Sequence, residues 1–124
     1  MLIQLLIALL FAVLFIQSGM DKVLNRNENL GWLKGHFSKS YLRDSVPLLL
    51  SVLTLLEILA GFLTAFGIAW MLFMSNNEFI FWGILLCNIS LLCMFFGQRI
   101  AKDYAGAQSV IGYFILSLIG LWLT

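Results

Sequence analysis

The chain has 124 residues, 62% of them hydrophobic and only 10% charged, whereas a soluble domain carries about 25% charged residues. A chain this short can bury one core but cannot hide this much apolar side chain, which excludes a soluble globular domain. A net charge of +1 without a basic cluster excludes a nucleic-acid surface as well.

The apolar residues fall into four blocks. A helix rises about 1.5 Å per residue, so about 20 residues cross a hydrocarbon core of about 30 Å. Backbone groups in lipid must be paired within the chain, so the blocks are expected to be helices. The expected fold is all-α: one integral membrane four-helix bundle over 1–124, with helices at about 1–20, 46–73, 79–97 and 104–123.

The first block, Met1 to Ile16, is broken only by Gln4 and reaches spanning length through Gln17, Ser18 and Gly19. A cleavable signal peptide would need a basic leader and a small-residue cleavage site. No Lys or Arg precedes position 22 and no A-x-A follows the run, so an uncleaved helix is expected. The connection that follows is the longest. Leu30, Leu33, Phe37 and Tyr41 recur at spacings of three and four, with Trp32 and Leu42 beside them and Lys34, Lys39 and Arg43 between. That pattern predicts an amphipathic segment on the cytoplasmic membrane surface, weakened by Gly31 and Gly35.

Pro47 stands in the first turn of the second helix, where its missing N–H costs nothing. Glu57 lies ten residues further on, which is about 15 Å into the bilayer and near its midplane. A carboxylate at that depth must be paired, or protonated, and face the bundle interior. Thr54, Glu57, Gly61 and Thr64 share one stripe, small and polar on a bulky apolar helix, which marks the packed face.

In the third helix Asn88 lies ten residues before Gln98, at a matching depth, and Tyr113 of the fourth helix reaches a similar level. A ligand-binding cluster of Glu57, Asn88, Tyr113 and Thr54 is therefore geometrically open. Glu57 has three readings: a protonated side chain holding helices together, a ligand or proton site, and a contact to a partner subunit.

All seven basic residues lie in the first and third connections, and none in the second. The positive-inside rule makes that side cytoplasmic and puts both termini outside. Trp70, Phe73, Phe81 and Trp82 cluster at the opposite boundary, as an aromatic belt would. On the basic side Asp21, Lys22, Asn25, Arg99, Lys102 and Asp103 are expected to form a polar network. It would either anchor helix ends to headgroups or serve as an entrance toward Glu57.

His36 is the only histidine and makes no metal site by itself. Cys87 and Cys93 are six residues apart on one helix, on different faces, and cannot pair there. No self-contained redox or catalytic constellation is legible.

Three stretches resemble the DoxX family of small bacterial membrane proteins: G-M-D-K-V-L-N from Gly19 to Asn25, L-T-L-L-E-I-L-A-G from Leu53 to Gly61, and G-Q-R-I-A-K-D-Y-A-G-A from Gly97 to Ala107. The resemblance covers the whole chain and implies a four-helix bundle in the bacterial inner membrane. It further implies a subunit associated with an oxidoreductase and meeting the quinone pool, so quinone is the expected ligand and a membrane or cytoplasmic oxidoreductase subunit the expected partner. Two other functions stay open. A carrier for a small molecule or proton would use Glu57 and would need a homo-oligomer. A scaffold without catalysis would use small-residue faces such as Ala105, Ser109 and Gly112.

Overall fold

A computed structural model of the chain describes residues 2–38 and 43–124. Lys39, Tyr41 and Leu42 of the amphipathic reading lie outside them, as do the side chains of His36 and Arg43. The elements are α1 (Leu2–Leu24), α2 (Arg26–His36), a single helical turn at Arg43–Ser45, α3 (Val46–Met74), α4 (Glu78–Ile100) and α5 (Tyr104–Trp122). No strand occurs among the described residues.

Four of these helices, α1, α3, α4 and α5, are long and apolar enough to cross a membrane. Between 22% and 39% of each span is buried in the bundle, so most of their apolar surface faces outward. Leu6, Leu9, Val13, Leu55, Phe62 and Ile115 are among the exposed side chains. Such a surface requires lipid as its solvent, and the chain is a multi-pass membrane protein.

The helices pack in the order α1–α3–α4–α5, and α1 meets α5 only lightly, which leaves a seam between the two. Phe11, Phe15, Ile80, Ile84 and Leu91 fill the centre. Glycines let the backbones approach. A Cβ on Gly61 would stand 2.8 Å from Ile16 N, and one on Gly19 would stand 2.7 Å from the Ile58 side chain. The same device joins α3 to α4, where a Cβ on Gly67 would stand 2.6 Å from Ile80 N. Interfaces built on small residues are the usual solution where helix association has no hydrophobic driving force.

Two helices run past their expected ends. The first continues beyond position 20 to Leu24, and the third beyond position 97 to Ile100. In each case a polar tail, Asp21-Lys22 or Gln98-Arg99, continues the helix without a breaker. Beyond a one-residue break at Asn25, α2 is amphipathic as expected: Leu30 and Leu33 are half-buried and Phe37 is buried, while Asn27, Glu28, Gly31 and Lys34 are exposed. Phe37 lies beside Gly97 at the end of α4.

Candidate functional site

Glu57 is 1% exposed on the α3 face that meets α1. The glycine contacts set α1 and α3 antiparallel with Gly19 opposite Ile58, which brings the last turns of α1 alongside the carboxylate. Ser18 and Lys22, four residues apart and hence on one helix face, both reach it. Lys22 Nζ lies 2.9 Å from Glu57 Oε2. It also donates to Ser18 Oγ at 2.8 Å, and Ser18 Oγ donates to Glu57 Oε1 at 3.1 Å. Lys22 and Glu57 form a close ion pair, with the Ser18 hydroxyl bridging the two side chains. The carboxylate is thus neutralised by a neighbour on α1.

Arg26 Nη2 donates to Ser51 Oγ at 2.8 Å and to Pro47 O at 3.4 Å, so the start of α2 runs beside the opening turns of α3. Glu57 is six residues past Ser51, about 9 Å deeper. The ion pair joins the last turn of α1 to the middle stretch of α3.

A cavity of about 130 Å³ lies against this triad, inside the seam between α1 and α5. Phe15, Leu91, Met94 and Val110 give it apolar walls. Ser18 and Glu57 supply polar atoms on one side, Ser109 and Tyr113 on the other. Ser109 Oγ donates back to Gly106 O at 2.7 Å. Tyr113 is 41% exposed, so the cavity opens sideways past it rather than being sealed.

Glu57 and Tyr113 both line the cavity, while Asn88 and Thr54 are held elsewhere. Asn88 Nδ2 donates to Ser117 Oγ at 2.9 Å, tying α4 to α5, and Asn88 is not among the residues lining the cavity. Thr54 Oγ1 donates to Leu50 O of its own helix at 2.6 Å. Deeper in the α3–α4 contact, Thr64 Oγ1 lies 3.7 Å from Cys87 Sγ.

Several polar residues of the basic end make local contacts. Asp21 accepts from Asn25 at 2.8 Å and from Asn29 at 3.3 Å. Arg99 stacks over the Tyr104 ring at 4.5 Å. Lys102 takes a left-handed backbone, φ 62°, and the next residue, Asp103, caps α5 by accepting from Gly106 N at 3.0 Å. A Cβ on Gly106 would run into the Asp103 carboxylate and the Gln98 amide. The Gly97–Ala107 stretch is thereby accounted for as a tight helix-to-helix turn. Lys22 alone of these residues turns inward to Glu57.

Ser18 is the site residue that sequence reasoning did not select. Its signal was the spacing Ser18–Lys22 just beyond the apolar block, read only as helix extension. No family model matches the chain, and no curated protein or solved structure matches it. The DoxX likeness accordingly rests on its three stretches alone.

Proposed function

We propose that this chain is a membrane subunit holding the ring of an amphipathic ligand, of the quinone kind, beside Glu57, as an accessory to a membrane oxidoreductase system. The cavity carries this reading. It combines an apolar interior, a few convergent polar groups and a lateral opening, the usual make-up of a small-molecule site. Its volume, about 130 Å³, approaches that of an engineered cavity of about 150 Å³ that binds benzene, so one ring fits and a tail can leave through the seam into lipid. The resemblance to DoxX proteins supplies the redox context, with electrons coming from a partner. The resemblance implies the bacterial inner membrane, and the basic residues favour α2 on its cytoplasmic side with both termini periplasmic. Native mass spectrometry of the protein released in mild detergent tests the reading. A bound quinone or an oxidoreductase subunit is expected; bare protein that takes up no added quinone would sink it.

One observation favours a carrier instead. The Lys22–Glu57 pair is an ionisable couple inside the bundle, a common mark of proton pathways. Reconstituted vesicles in which Glu57→Gln leaves proton or solute flux unchanged would remove that alternative.

A further inference from the structure

We infer that two copies of this chain pair through the lipid-facing side of α1, with their Gln17 amides hydrogen-bonded to each other across a two-fold axis along the membrane normal.

Gln17 is exposed well inside a span. Its neighbour Ile16 packs on Gly61. Gly61 lies ten residues beyond Ser51, which Arg26 holds at the opening of α3; that is about 15 Å further along the helix. Hydrocarbon at that depth offers an amide neither a donor nor an acceptor. Gln17 forms no hydrogen bond with another described residue. A lone chain therefore leaves a carbonyl and an NH2 group unpaired in lipid. Ser51 and Ser109, also exposed on spans, are not in this position: Ser51 accepts from Arg26, and Ser109 donates to Gly106 O.

The surface around Gln17 suits a second α1. Ile3, Leu6, Leu10, Val13, Gln17 and Met20 are all exposed at alternating spacings of three and four, the seam pattern of a left-handed helix pair. Spacing alone does not decide, because the lipid-facing stripe Leu55, Leu59, Phe62 and Phe66 of α3 shares it. That stripe is apolar, whereas the one on α1 carries an amide. The α1 face is also concave: a shallow groove runs from Leu6 to Gln17, flanked by Leu9 and Leu14, and can receive the side chains of a facing helix.

Symmetry identifies the partner. Copies inserted in the same direction present their α1 helices parallel, and a two-fold axis sets each seam residue against its own counterpart. A primary amide is its own complement, so each Gln17 carbonyl accepts from the other's NH2. A second copy supplies the matching group at the matching depth, and one polar residue in an apolar seam fixes the register of the pair.

Sedimentation equilibrium of the full chain, in a detergent matched to the buffer density, tests the pairing. The wild-type protein should show a monomer–dimer equilibrium. Gln17→Leu, an apolar change at an exposed site, should keep the thermal unfolding midpoint of the wild type and raise the dissociation constant about tenfold, the usual worth of interhelical hydrogen bonds in lipid. Gln17→Asn keeps the amide and should retain most of the affinity. In native membranes, with Cys87 and Cys93 replaced by alanine, Leu10→Cys and Val13→Cys should form disulfide-linked dimers on mild oxidation, and Ile115→Cys on α5 should not. Monomers at every concentration, or a dimer that Gln17→Leu leaves unchanged, would overturn the inference. Cross-linking at Ile115→Cys in place of the α1 positions would overturn it in favour of an α5 interface.

Discussion

Lys22 Nζ stands 2.9 Å from Glu57 Oε2 across a helix contact that two glycines make close enough for the pair to form. Gly19 admits the Ile58 side chain, and Gly61 admits the backbone of Ile16. Side chains at either position would push α1 away from α3 and leave the Glu57 carboxyl without its partner. The glycine stripe and the ion pair are thus one structural unit, and separate substitutions should expose their dependence.

Breaking the pair from one side leaves a buried charge uncompensated, which costs about 3–5 kcal/mol where it has been measured in proteins. Lys22→Met should therefore destabilise strongly, and adding Glu57→Leu should restore most of the loss. Unfolding of the two single variants and the double variant in mixed detergent, analysed as a cycle, checks this. Additive effects would show that the two side chains are energetically independent.

Gly61→Ala places a methyl group against the Ile16 backbone, and overpacking of this kind costs about 1–3 kcal/mol. Gly112 has nothing within 4 Å of a new Cβ, so Gly112→Ala should be neutral or stabilise by up to about 1 kcal/mol through helix propensity. The same unfolding measurement compares them. A marked loss at Gly112 would reveal a second protein surface packed on α5.

Asp103→Ala removes the cap of α5, a change worth about 1 kcal/mol. Gly106→Ala should cost more, because the new methyl collides with both Asp103 and Gln98. Amide exchange in the first turn of α5 should rise in both variants, and an unchanged rate would count against the capping role.

Orientation is accessible by labelling. With Cys87 and Cys93 replaced by alanine, Asn76→Cys in the short α3–α4 connection should react with an impermeant maleimide applied to whole cells. Lys102→Cys should react only after permeabilisation. The reverse pattern would place the basic end outside.

The four spans were legible because lipid imposes length and apolarity on each helix independently of its neighbours, and their boundaries followed within about four residues. Glu57 stood out for the same reason: a lone acid in an apolar helix has few explanations. Its partner was harder to see. Lys22 sits among polar residues beyond an apolar block, where basic side chains ordinarily reach outward, and only the register fixed by Gly19 and Gly61 turns it inward. Asn88 misled for the complementary reason. Matching depth does not fix the side of a helix, and Asn88 faces Ser117 of α5. Which polar residues meet depends on rotation about the helix axes, which sequence periodicity constrains only loosely when a helix is apolar nearly all round.

The placement of Lys22 on α1 and Glu57 on α3 bears on how the chain enters the bilayer. During synthesis α1 is made first, and its basic tail can rest at the headgroups, where a lysine costs little. When α3 follows, Glu57 arrives in an apolar helix with no acid-neutralising group of its own. Insertion of α3 is then favoured by an α1 already waiting with its ammonium group in reach. The order of the helices along the chain supplies the counter-ion before the charge that needs it.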